Sequence, residues 1–169
     1  MIPISTEVID MVCNRIWAKA QDVKLQVNKD ILPEFDIGFD RRIPHEVQEE
    51  LRAFVRWVES HYTIPITLWV DFEYNHYLIS RAGNRVGYLF DWADFSAYPV
   101  FDNREDIPQI RLPVRTERST MKEILRSFIE AITDYYAWIC NELREDFVPD
   151  EAEVDGILRE YLRFRGLLE

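Results

Sequence analysis

The chain has 169 residues, 47% of them apolar and 14% aromatic, with only 5 glycines. That is the composition of one folded domain over residues 1–169 and excludes a disordered or low-complexity chain. Its 20 Lys and Arg against 31 Asp and Glu give a formal charge of −11, which argues against nucleic acid and anionic membranes as partners.

Residues 5–20 carry Val8, Ile9, Val12, Ile16 and Ala20 at helical spacing, with Ser5 or Thr6 placed to cap the start. The acids within this stretch and the absence of a basic leader argue against a signal peptide. No apolar run in the chain approaches the roughly 18 residues that cross a bilayer. Phe35-Asp-Ile-Gly-Phe39 alternates like a short strand. Pro44 opens a second predicted helix over about 44–61, with Val47, Leu51, Phe54, Val55 and Val58 as its apolar stripe.

Three strand candidates follow: Ile66–Phe72, His76–Ser80 and Val86–Phe90. The last two flank Ala82-Gly83-Asn84, a plausible hairpin turn. An aromatic stretch with Trp92, Phe95, Tyr98 and Phe101 leads to Ile110–Val114, which alternates again. Pro113 places that strand at a sheet edge, because proline donates no ladder hydrogen bond. The clearest helix spans about 120–144. Thr120 and Glu123 form a capping box, and Met121, Ile124, Leu125, Phe128, Ile132, Tyr135 and Ile139 form the buried stripe. A last helix starts near Pro149 and runs to about 165, with Val154, Ile157, Leu158, Tyr161 and Leu162 inward. Strands grouped between helices imply an α+β fold with a small, mainly antiparallel sheet.

Chemistry-bearing residues are few. His45 begins a sequence that resembles the zinc motif HExxH but has Glu49 where the second histidine belongs. His61 and His76 have no metal-type spacing. No phosphate-binding glycine loop and no nucleophile motif is present. Cys13 and Cys140 form no CxxC pair and read as reduced core thiols of a cytoplasmic protein. Glu130 and Asp134 stand at i and i+4, which projects both from one helix face. The pair reads either as a solvated acidic face or as a cation site.

The segment Ile124-Leu-Arg-Ser-Phe-Ile-Glu-Ala-Ile-Thr-Asp-Tyr-Tyr-Ala-Trp138 resembles the active-site helix of small bacterial zincin-like metallopeptidase-fold proteins. There the helix reads approximately IL-x-x-L-x-HELTHYYQW. Ile124, Leu125, Phe128, Thr133, Tyr135, Tyr136 and Trp138 match without a gap. Glu130 takes the first His position, Ala131 the Glu position and Asp134 the second His position. A register shifted by one sets Glu130 on the catalytic Glu instead, with Ile129 and Thr133 at the His positions, and misplaces the Trp. Glu151-Ala152 resembles the start of the family's C-terminal helix, whose Glu is the third zinc ligand.

The resemblance implies a zincin-like fold and argues against its activity. A peptidase of this class needs imidazoles on zinc and a Glu to take a proton from the bound water. Three carboxylates (Glu130, Asp134, Glu151) disfavour zinc and suit Ca²⁺, Mg²⁺ or Mn²⁺, as a vestigial or hard-cation site. The leading expectation is a catalytically inactive zincin-like domain that binds a protein or peptide, without a required cofactor. It would use strand addition at the edge near Ile110, with the aromatic stretch beside it. Two alternatives stand beside it. One is a hydrolase using a carboxylate-bound divalent cation. The other is an acidic interaction protein that neutralises a basic partner.

Overall fold

In the computed structural model of the chain, residues 15–23, 35–74, 88–91, 108–114, 120–144 and 146–167 are described. Their elements in chain order are α1 (Ile16–Gln21), β1 (Phe35–Phe39), α2 (His45–His61), β2 (Leu68–Glu73), β3 (Leu89–Asp91), β4 (Gln109–Pro113), α3 (Met121–Ile139) and α4 (Glu151–Phe164). The mixed helix and strand content expected from the sequence is present. The first part of the expected N-terminal helix, Cys13, the strand at His76–Ser80 and the aromatics from Trp92 to Phe101 lie outside the described residues.

The sheet corrects two expectations. Its strand order is β1-β2-β4-β3; β1 pairs with β2 and β2 with β4 in parallel, and only β3 runs antiparallel, against β4. The sheet is therefore mainly parallel. Helix α2 makes the crossover from β1 to β2, the connection a parallel pair requires. Nor is β4 an edge: it lies between β2 and β3. The described β3 pairs with residues 109–111 of β4, so Pro113 lies beyond that pairing.

Alternation along each strand divides the sheet into two faces. Phe35, Leu68, Val70, Phe72, Ile110 and Leu112 are buried on one face. There Phe72 meets Phe128 of α3 edge-on, with 5.1 Å between ring centroids, and Phe128 meets Phe54 of α2 at 5.2 Å. Asp36, Gly38, Trp69, Asp71, Gln109 and Arg111 belong to the opposite face, which carries most of the sheet's polar side chains.

Helix α3 is the centre of the core, with residues buried on nearly every side. Its start is capped as expected, Thr120 Oγ1 accepting from the Glu123 N–H at 3.2 Å. It ends earlier than the sequence reading, at Ile139. Asn141 adopts φ 58°, and the N–H groups of Asn141 and Glu142 fold back to the carbonyls of Trp138 and Ala137. Helix α4 starts at the Asp150 cap and stops in the same way at Gly166, with φ 71°. All five of its expected inward residues are buried.

Candidate functional site

Two regions contain the residues of interest: α3 with the start of α4, and the polar face of the sheet beside β1.

On α3, the residues set against the metallopeptidase motif occupy unlike environments. Glu130 is half-buried and pairs with Arg126 at 3.5 Å; Arg126 also contacts Asp155 of α4. Asp134 is 1% exposed, and its Oδ2 accepts from the Tyr88 hydroxyl at 2.8 Å. Ala131, at the position of the general base, is fully buried in the core. Glu151 is exposed at the first position of α4. Among the described residues, no group of three or more His, Cys, Asp or Glu side chains is arranged to hold a metal ion.

Thr133, Tyr135 and Tyr136 of α3 act in packing. Thr133 donates to the Ile129 carbonyl and accepts from the Trp17 indole N–H, each at 2.8 Å. The Tyr135 hydroxyl donates to the Ile66 carbonyl and accepts from the Ile66 N–H at 3.1 Å. The Tyr136 hydroxyl donates to the Thr63 carbonyl at 2.9 Å. Burial holds both phenols above their ordinary pKa. The aromatic end of the segment, which carries much of the family resemblance, thus fastens the 63–66 loop and α1 to α3.

The sequence reading missed Glu153. It is 3% exposed, with Oε2 lacking a hydrogen-bond partner. Burial pushes its pKa up to about 7, and the facing backbone N–H groups of Trp17 and Ile16, with Arg15, oppose that rise only in part. Its place in the sequence, inside an acidic run at a helix start, carried no sign of burial. His45 is exposed at the start of α2 and 3.7 Å from Glu49. His61 packs its ring against Trp57 at 5.1 Å. Cys140 is a free, half-buried thiol, pushed up to about 11 by burial.

The second region is the edge of β1. The Asp40 N–H donates to the Phe72 carbonyl at 2.8 Å, so Asp36, Gly38 and Asp40 turn their backbone groups toward β2. By the alternation of a strand, Phe35, Ile37 and Phe39 turn theirs outward. Glu59 of α2 accepts from the outward Phe35 N–H at 3.2 Å. Among the described residues, no strand pairs with Ile37 and Phe39 on that side.

Beside this edge, Gly38, Asp71 and Arg111 stand in one row across three strands. A Cβ at Gly38 would lie 2.8 Å from Asp71 Oδ1, so the carboxylate leans over the glycine toward the β1 edge. Gln109 donates to the other oxygen, Oδ2. Arg111 is engaged by Glu73 through two hydrogen bonds, at 2.6 and 3.1 Å. Asp40 accepts two more from the Arg42 side chain, which holds its pKa down at about 2. Gly38, Asp40, Asp71, Glu73 and Arg111 line an open cleft of about 380 Å³. Sequence reasoning had one available signal here, since an isolated glycine in a strand pattern marks close approach of a neighbour.

Comparison with protein-family models, curated proteins and solved structures finds no match to this chain. Among the described residues, no helix is long and apolar enough to cross a membrane.

Proposed function

We propose that the chain is a non-catalytic, zincin-like module that binds an extended segment of a protein or peptide. The outer edge of β1 carries this reading. Its Ile37 and Phe39 backbone groups face away from β2, and a peptide strand laid alongside would complete the hydrogen-bond ladder. The non-catalytic part of the reading is supported by Ala131, a buried methyl group at the position of the proton acceptor. It is supported also by Asp134, whose carboxylate is engaged by Tyr88 inside the core. The docking edge is β1 in place of the strand around Ile110, which both neighbours cover. No comparable observation favours the metal-dependent hydrolase.

Amide hydrogen exchange tests this. Two synthetic peptides serve as probes, one of alternating Val and Arg and one of alternating Val and Thr. Binding of a probe should slow exchange at Ile37 and Phe39. Ile37→Pro removes one outward N–H and should abolish the slowing at Phe39. If neither probe changes exchange at Ile37 and Phe39 in the unmodified protein, the edge-binding reading fails.

A further inference from the structure

We infer that the cleft at Gly38 selects a basic side chain, so that the bound segment is an extended peptide with Lys or Arg at the position facing Gly38. This rests on the peptide-binding reading and adds the chemistry of the partner.

The inference follows from geometry. A strand added to β1 lies about 4.8 Å outside it, and β2 lies the same distance inside. Residues of the added strand that face the polar side of the sheet neighbour Asp36 and Gly38 of β1 and Asp40 just after it. Two of those three positions carry side chains that are already engaged. The Trp69 indole N–H donates to Asp36, and Arg42 binds Asp40 with two hydrogen bonds. Gly38 has no side chain, and this leaves a gap across β1.

Asp71 stands at the inner end of that gap. Its Oδ2 is bonded by Gln109, while Oδ1 points over Gly38 and accepts no hydrogen bond among the described residues. From the added strand to β2 is roughly 10 Å. Asp71 leans outward to meet what comes across, so a long side chain spans the distance and a short one does not. Arg111 directs two hydrogen bonds to Glu73, and none to Oδ1 among the described residues. The ligand group that completes this arrangement is a long cation. A guanidinium or ammonium forms a charge-assisted hydrogen bond to the carboxylate. The chain's formal charge of −11 adds attraction for a basic segment at long range.

Affinities of the Val-Arg and Val-Thr peptides, measured by calorimetry on the full chain, test the inference. The Val-Arg peptide should bind at least about tenfold more tightly at low salt. In Asp71→Asn, which keeps the shape and the acceptor for Gln109, the preference should fall to about that of long-range charge alone, within roughly threefold. Asp36→Asn serves as the control and should retain the tenfold preference. Equal affinities for the two peptides, or a preference unchanged in Asp71→Asn, would overturn the basic-side-chain inference. In that event, continued slowing of Ile37 and Phe39 exchange would leave the edge-binding reading standing. Sedimentation without peptide provides a further check. A concentration-dependent dimer with Ile37 and Phe39 amides protected would identify the occupant as a second copy of the chain, against the inference.

Discussion

The helix α3 and the strand β1 treat their polar groups in opposite ways. On α3, Thr133, Asp134, Tyr135 and Tyr136 are buried, and each is engaged by a partner elsewhere in the fold: Trp17, Tyr88, Ile66 and Thr63. Burial without those partners would cost about 1–3 kcal/mol for each group. On β1 the outward backbone groups of Ile37 and Phe39 are not engaged by any described strand, and Asp71 presents an oxygen over Gly38. The segment around α3 is the core of the domain. The groups without a described partner, the outward backbone of Ile37 and Phe39 and the Asp71 oxygen, lie instead at the edge of the sheet.

Four measurements test that contrast. The largest effect belongs to the helix side. Phe128 is fully buried between Phe54 and Phe72, so Phe128→Ala should destabilise the protein by about 3–5 kcal/mol in denaturant unfolding. A loss below about 1 kcal/mol would show that α3 is not the centre of the core.

Next is the pH dependence set by Glu153. Its folded pKa, about 7, lies above its ordinary value of 4.5. Between those values the folded state holds the proton that the unfolded state releases. Stability should therefore fall as pH rises from about 4.5 to about 7 and level off above, by up to roughly 3 kcal/mol. Glu153→Gln should flatten that part of the profile in thermal unfolding.

A smaller difference separates the two carboxylates of α3. Asp134→Ala leaves the buried Tyr88 hydroxyl without this acceptor and should cost about 1–3 kcal/mol. Glu130→Ala removes a partly exposed ion pair with Arg126 and should stay within about 0.5 kcal/mol. Equal costs would contradict the unlike environments of these residues.

The smallest effect is on the sheet side. Alanine in a strand is ordinarily better than glycine by roughly 0.5–1 kcal/mol. Gly38→Ala should instead cost about 1 kcal/mol, because its Cβ displaces Asp71 from Gln109. Adding Asp71→Ala should relieve the conflict, so that the double variant is no less stable than Asp71→Ala alone. A stabilising Gly38→Ala would show that Asp71 does not lean over the glycine.

The local elements were legible in the sequence because the signals are local. Alternation marked Phe35–Phe39, helical spacing marked the stripe of α2 and all five inward residues of α4, and Thr120 with Glu123 marked the start of α3. The end of α3 was less legible, since Asn141 in a left-handed conformation leaves only a weak trace in the residue type. Strand direction and order were not legible at all. Alternation has the same period in parallel and antiparallel strands, and a parallel sheet with one polar face resembles an antiparallel one in sequence. Pro113 identified a position without a ladder donor, but only the tertiary structure showed that β4 lies inside the sheet, between β2 and β3. Likewise, Glu130 and Asp134 were recognisable as helix neighbours from their spacing. That one pairs with Arg126 near the surface and the other meets Tyr88 in the core was decided by packing, because burial is set by what the rest of the chain lays against each side of a helix.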